Sequence, residues 1–416
     1  MVIKTMTGED LVAASVAVSA DTVYTVPGYP VTSLGDKTGA EFVINEKTAL
    51  EYAIGDSLAG KRSVVIVKNA GMNALADPLV ITTTQGLKKG VLIIAGDDTE
   101  AKGSQNRQDS RYYAEVAEAP LIEPDEKSLH MAVEFGLSAS EKYSRIAILR
   151  VTQDTLEAKI PGTGATVPAG REEGSGGLAD PGLTMKGRSQ NADNITRKMF
   201  ANSKSPMIYP PAIYPDRDRE LGETGRQFIA DHRTATPPPF TKEPETMESR
   251  GYSRGLCKNC PYKPLFETIA ASGREAICDT GCSLLAKNPP YNFGIANYGL
   301  GSSAAVAAKS TGLALLGDYA VLHSGLNSLV DIWQKSLSVL CIVIVNRRAA
   351  MTGMKAVADI APYLGWASPV RLDCGEDSMK IVAEKLEEQR GKPEILLVYG
   401  QCPEGESHEA VRCRDL

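Results

Sequence analysis

No cysteine occurs before position 257, yet eight are found from there on: Cys257, Cys260, Cys278, Cys282, Cys341, Cys374, Cys402 and Cys413. The chain also lacks any apolar run approaching the roughly 18–20 residues that span a bilayer. Its opening, MVIKTMTGED, has no apolar core of the signal-peptide kind. A cytoplasmic protein without a membrane partner is expected. Basic residues are not in excess either: 45 Lys and Arg stand against 51 Asp and Glu, a net charge of −6. Binding a phosphate backbone needs clustered cations, so no nucleic-acid partner is expected. In a reducing compartment eight thiols are not expected to form structural disulfides. Their confinement to the C-terminal half points to a metal cluster there.

What the chain does have is alternation. Its 416 residues, 43% hydrophobic and 23% charged, are enough for two or three domains. Over 1–152, strand-like runs (TVYTV at 22–26, SVVIV at 63–67, VLIIAG at 91–96, IAILRV at 146–151) are separated by helical periodicity such as Leu50, Ala53, Ile54 and Leu58. Strands alternating with helices predict βαβ units and a parallel sheet. Residues 153–250 are dense in Gly and Pro and read as a long connection, with helical stretches around 191–201 and 218–232. Residues 251–416 return to α/β patterning, with a helix from about Tyr262 to Ser272 and a last strand EILLVYG at 394–400. The expected fold is thus α/β, with two parallel-sheet domains joined by a Gly/Pro-rich connection.

In the second of these domains two apolar strands, LALLG at 313–317 and SVLCIVIV at 338–345, run directly into Asp318 and Asn346. A helical stretch starting near His323 lies between them. Ligands of open α/β sheets collect beyond the carboxyl ends of the strands, and Mg2+ shares oxygen ligands between a few protein groups and phosphate oxygens. Asp and Asn also cap turns after strands for purely local reasons. Upstream, YGLGSSAAVAAK at 298–309 puts Gly299 and Gly301 at the entrance of an Ala-rich helix, where backbone can approach a phosphate; close helix packing accounts for such glycines equally well.

The joint pattern resembles the diphosphate-binding module of indolepyruvate:ferredoxin oxidoreductases, within the wider 2-oxoacid:ferredoxin oxidoreductases. It consists of Gly317, Asp318, His323, Ser324 and Gly325, then Asn346, then Ala350, Met351, Thr352 and Gly353. FVINEKTALEYAIGDSLAGKRSVVIVKNAGMNALADPL at 42–79 is similar to the pyrimidine domain of the same family. The resemblance implies two thiamine diphosphate-binding-type domains with the cofactor across their interface. Mg2+ would be held by Asp318, Asn346 and the backbone oxygen of Arg348, and the diphosphate loop would use Gly299, Gly301, Gly317, Met351 and Thr352. Glu46 would be the glutamate that hydrogen-bonds the aminopyrimidine ring. PGYPVTS at 27–33 resembles a loop that meets cofactor and substrate, with Gly28 and Thr32 in it. SQNRQDSRYYA at 104–114 matches a further family segment, in which Arg111 is placed to receive a carboxylate or to hold a domain-interface ion pair. His323 is a candidate for the reacting end of the substrate, or a packed structural histidine.

Cys257 and Cys260 form C-K-N-C, Cys282 follows in DTGCS, and Cys402 in GQCP. Four thiolates suit a [4Fe–4S] cluster or a structural zinc, and buried free thiols are a third reading. The family has cysteines in the same four contexts, which implies a [4Fe–4S] cluster on Cys257, Cys260, Cys282 and Cys402; Cys278 is a possible substitute for Cys282. The resemblance covers roughly 8–152 and 253–404. The chain is expected to be a shortened relative without the C-terminal ferredoxin module, working with a smaller gamma-type subunit and with ferredoxin or another electron-transfer subunit, as a dimer or hetero-oligomer. The implied activity is oxidative decarboxylation of a 2-oxoacid, with coenzyme A as co-substrate. A non-oxidative thiamine decarboxylase and a non-catalytic subunit of a redox complex are the alternatives. Departures from the family fall at Val31, Ser33, Tyr262, Met354 and Lys355.

Overall fold

Val64, Val65, Ile66 and Val67 are all fully buried, and so are Leu92, Ile93, Ile94 and Ala95 beside them. A strand apolar on both faces belongs inside a parallel sheet covered by helices. The structure, a computed structural model, describes residues 5–124, 126, 128–161, 174, 176–201, 208–209 and 243–415. The chain divides into two compact units, residues 1–179 with 187–244 and residues 180–186 with 245–416.

The strands of the first unit are β1 (Thr5–Thr7), β2 (Thr22–Thr25), β3 (Glu41–Phe42), β4 (Ser63–Lys68), β5 (Val91–Asp97), β6 (Leu121–Ile122), β7 (Ala147–Thr152), β8 (Lys159–Pro161) and β9 (Ile208–Tyr209). Seven of them form one sheet in the order β3-β2-β4-β5-β7-β6-β9, parallel except where β9 meets β6, and β1 pairs with β8 separately. The helix Gly8–Ser19 starts at a capping box in which Thr7 Oγ1 accepts from Asp10 N–H at 3.1 Å and Asp10 Oδ2 accepts from Thr7 N–H at 3.2 Å. Leu11, Val12 and Val16 of that helix pack with Leu129, Val133 and Leu137 over Ile66, Leu92 and Leu149. Of the long connection, the helices Gln153–Glu157 and Met185–Ala201 are described. Arg145 fastens the second, donating to Thr196 Oγ1 at 3.0 Å and Ala192 O at 3.1 Å. The helix expected near 218–232 lies outside the described residues.

The second unit has β10 (Tyr252–Cys257), β11 (Ala276–Cys278), β12 (Gly294–Ala296), β13 (Leu313–Gly317), β14 (Leu340–Val345), β15 (Arg348–Ala349), β16 (Lys355–Ala356), β17 (Val370–Asp373), β18 (Glu394–Tyr399) and β19 (His408–Arg412). Its main sheet is parallel throughout, in the order β12-β11-β13-β14-β18-β17. β15 and β16 form a short antiparallel hairpin, and β10 and β19 another antiparallel pair. Phe266, Phe293, Leu315, Ile342 and Leu396 fill the core on one side of the sheet. The helix between β13 and β14 does not begin near His323. It begins at Asp318, passes through a π-helical turn at Val321–Gly325 and continues as Leu326–Gln334. Among the described residues, no helix is long and apolar enough to cross a membrane.

Candidate cofactor and cysteine site

Four neighbouring strands of the second unit, β11, β13, β14 and β18, end on the same edge of the sheet. Each runs into a residue with chemistry: Asp279, Asp318, Asn346 and, two residues beyond Gly400, Cys402. Asp318 is buried, and its carboxylate accepts N–H bonds from Tyr319 at 2.7 Å and Arg347 at 2.6 Å. Burial pushes its carboxyl above the usual range, against those backbone donors. A buried carboxylate held by backbone donors is a favourable place for a bound cation. Asn346 Oδ1 accepts from Arg348 N–H at 3.0 Å, and Arg347 between them has φ +53°. The pair offers hard oxygen donors from adjacent strand ends, the set that Mg2+ takes, so these residues fit the expected metal. Beyond them, the β15–β16 hairpin carries Met351 and Thr352, both exposed, at its turn, with Gly353 left-handed at φ +92°.

Asp279 escaped the sequence reading. It is fully buried and accepts from Thr280 N–H at 2.9 Å, Gly301 N–H at 2.8 Å, Ser303 N–H at 3.2 Å and Ser303 Oγ–H at 2.9 Å. It thereby shapes the turn through Gly299 (φ +127°) and Gly301 (φ +85°) that leads into the helix Ser303–Ala308. A Cβ on Gly301 would lie 2.4 Å from Ser324 Oγ and 2.6 Å from Gly325 N. The glycine turn and the π turn therefore dock, and Ser324 Oγ donates to Leu300 O at 2.5 Å. His323 is exposed on that turn, its ring 6.0 Å from the Tyr319 ring.

Cys257, Cys260, Cys282 and Cys402 all line one cavity of about 490 Å³, shared with Met351, Met354 and His408. Burial pushes all four thiols up, Cys260 to about 11 and Cys282 to about 12; neighbouring sulfurs add to the effect at Cys260, Cys282 and Cys402, and Glu406 and Glu409 at Cys257. Four thiols gathered around one space offer the soft donors that an iron–sulfur cluster or zinc takes as thiolates. Among the described residues, no group of three or more His, Cys, Asp or Glu is drawn together closely enough to hold a metal ion. The other cysteines lie elsewhere. Cys278 and Cys341 are core residues, Cys374 Sγ lies 3.5 Å from Tyr399 O, and Cys413 Sγ 3.2 Å from Met247 O. Tyr262, which stands where the family has histidine, donates its hydroxyl to Gly400 O at 3.0 Å and joins the C-x-x-C loop to the end of β18. On the other side of the loop, Glu406 accepts from Asn259 N–H at 3.0 Å and Nδ2 at 2.5 Å. His408 is paired with Cys257 across β10–β19 and brings Nε2 within 3.6 Å of Cys282 Sγ. The weak pattern of the closing segment HEAVR gave no sign of these contacts.

In the first unit Asn45 caps the helix Glu46–Leu58, its Oδ1 accepting from Thr48 N–H at 2.8 Å. This makes Glu46 the first helical residue. Its side chain rests on Gly71, the first residue of the helix that follows β4: a Cβ there would be 2.8 Å from Glu46 Cγ and Oε1. Glu51, one turn on, is fully buried and paired with Lys47 at 3.2 Å. Gly28 packs on Lys68, whose Nζ donates to Gln105 at 2.7 Å, and Thr32 is exposed at the start of a short helix. Arg111 is nearly fully buried and donates from Nε and Nη2 to Asp109 at 2.9 and 2.8 Å. It belongs to a buried ionic group with Asp97, Glu123 and Arg150, in which Arg150 meets Asp97 at 2.6 Å and Glu123 at 2.8 Å.

Both units are open parallel α/β layers with chemistry at the strand ends, the fold of thiamine diphosphate-dependent enzymes. The solved Rhodococcus jostii RHA1 thiamine diphosphate-dependent 4-hydroxybenzoylformate decarboxylase superposes with a TM-score of 0.62 at 12% identity, covering 96% of this chain and 100% of that one. In sequence, the chain is similar to indolepyruvate oxidoreductase subunit IorA. It is 39% identical to the Archaeoglobus fulgidus protein over 113 residues, which is 26% of this chain and 18% of that protein. It is 32% identical to the Methanothermobacter thermautotrophicus protein over 154 residues, 35% of this chain and 25% of that one. The chain thus spans a quarter or less of the length of these two relatives. No family model matches it.

Proposed function

We propose that this chain is the thiamine diphosphate-binding subunit of a 2-oxoacid oxidoreductase. It would cleave the bond between the carboxylate and the 2-oxo carbon, release CO2, and pass two electrons singly through one [4Fe–4S] cluster to ferredoxin, with coenzyme A taking the acyl group. The observation that carries this reading is the gathering of Cys257, Cys260, Cys282 and Cys402 around one cavity, in the unit whose strand ends carry Asp318 and Asn346. When bound, thiamine diphosphate supplies the carbanion chemistry of decarboxylation, and an iron–sulfur cluster takes electrons. In this reading Asp318, Asn346 and the Arg348 carbonyl hold Mg2+, the Gly299–Gly301 turn and the AMTG hairpin receive the diphosphate, and Glu46 holds a proton at the pyrimidine ring. Thr32 and His323 remain open to the substrate on their exposed surfaces. Val31, Ser33, Met354 and Lys355 depart from the family, so the reading extends to 2-oxoacids as a class. A smaller gamma-type subunit and an electron acceptor would complete the assembly.

Anaerobic purification with its co-purifying chains tests this directly. About 4 Fe per chain and absorbance near 400 nm are expected, as for one cluster on four cysteines. Cys260→Ser should lose both features, while thiamine diphosphate binding measured by calorimetry persists. Iron-free protein that still decarboxylates a 2-oxoacid would sink the oxidative reading in favour of a simple decarboxylase. Absence of thiamine binding in the assembled complex would favour a non-catalytic subunit.

Gly71→Ala probes Glu46 without touching it. Alanine suits a helix better than glycine, so the melting temperature should hold or rise slightly. Because the new Cβ would lie 2.8 Å from both Glu46 Cγ and Oε1, the carboxylate must swing away. Losing one charge-assisted hydrogen bond to the ligand should weaken thiamine diphosphate binding about tenfold. Unchanged affinity would remove Glu46 from the site.

A further inference from the structure

Asn346 makes two different contacts with its two amide atoms. The atom facing Arg348 meets a backbone N–H at 3.0 Å, so it must be the oxygen. The other atom is therefore the amino nitrogen, and it lies 3.3 Å from Cys402 Sγ, within reach of a hydrogen bond to sulfur. Sequence cannot show this, because the two residues are 56 apart. They are brought together by β14 and β18, parallel neighbours with Val345 opposite Tyr399, so that the residues just past both strands emerge side by side. Asp318, beyond the adjoining strand β13, is bonded to the backbone of Arg347, the residue after Asn346.

We propose that Asn346 is a positioning residue for Cys402 as well as an oxygen donor to the metal, so that one side-chain amide joins the diphosphate site to the cysteine cluster. This inference rests on the proposed function. A donor N–H on a cluster thiolate stabilises the reduced, more negative cluster, and hydrogen bonds to the sulfurs are among the determinants of cluster potential.

The test uses the anaerobically purified complex, poised with dithionite and mediator dyes and read by electron paramagnetic resonance, with thiamine diphosphate and Mg2+ binding measured by calorimetry. Asn346→Asp keeps an oxygen for the metal and replaces the donor to Cys402 with an acceptor. At the potential where the wild-type cluster is half reduced, its reduced-to-oxidised ratio should fall about tenfold or more, a shift that a hydrogen bond to a charged group is worth; cofactor affinity is read alongside, because the same residue belongs to the proposed metal site. Asn346→Leu removes both atoms and should move both readouts. Loss of iron from Asn346→Asp with cofactor binding retained also supports the inference, since the anchor of Cys402 is then gone. An unchanged ratio and spectrum in both variants, with the cluster present, would overturn the inference alone. A wild-type complex without iron would overturn the proposed function and this inference with it.

Discussion

Replacing Glu46 with glutamine is expected to lower turnover of the assembled enzyme by about 10²–10⁴-fold, the usual contribution of a positioned acid–base group. Glutamine has nearly the shape of glutamate, so the contact with Gly71 and the cap from Asn45 survive. Stability should change by no more than about 0.5 kcal/mol, as for a substitution that breaks no buried contact. The lost capacity is to hold a proton on one step and release it on the next. Reduction of a one-electron dye by a 2-oxoacid, together with a melting curve, checks both halves of the expectation. Turnover within a few-fold of wild type would move the acid–base role away from Glu46. The nearby Glu51 is a poor replacement, because it is enclosed in the helix core with Lys47 as its partner.

Replacing Asp279 with alanine is expected to cost about 3–5 kcal/mol, since several buried donors lose their acceptor and each costs about 1–3 kcal/mol when left unmade. Those donors are the N–H groups of Thr280, Gly301 and Ser303 and the Ser303 hydroxyl. Burial pushes the Asp279 carboxyl up and the four donors pull against it. The milder change Asp279→Asn leaves an amide that satisfies some donors and opposes others, for a cost of about 1–3 kcal/mol. Both tryptophans, Trp333 and Trp366, lie in the second unit with ring centroids 5.4 Å apart. Urea unfolding followed by tryptophan fluorescence therefore reports that unit. For the alanine variant, a midpoint shift worth less than about 1 kcal/mol would mean that Asp279 is not the support of the glycine turn. Thiamine diphosphate affinity should fall in step with stability, because the same turn is the proposed diphosphate cradle.

Much of the architecture could be read from short windows. The runs at 63–67, 91–96, 313–317 and 394–400 became β4, β5, β13 and β18 to within a residue or so at either end, because a strand buried on both faces leaves a continuous apolar signature. The helix after β13 was read less well. Its start at Asp318 and the π turn at Val321–Gly325 depend on docking against the Gly299–Gly301 turn, which no periodicity records. Arg111 was legible as a charged residue in a notable segment with Asp109 two residues before it, but Glu123, and Arg150 that shares both carboxylates, come from the packing of β5, β6 and β7.

By itself the sequence determined which residues could carry chemistry: Asp318 and Asn346 after apolar strands, glycines before a helix and a C-x-x-C pair, whereas Glu46 was singled out by the family resemblance. These are local facts, set by residue type and spacing within one element or one turn. Tertiary structure alone decided which of them meet. It put four of eight cysteines around one cavity, seated Glu46 on Gly71, made Asp279 the support of the glycine turn, and turned the amide of Asn346 toward Cys402. The reason is sheet order. β11, β13, β14 and β18 are neighbours in space though separated by long stretches of chain, and pairing between distant strands leaves no trace in the composition of either one.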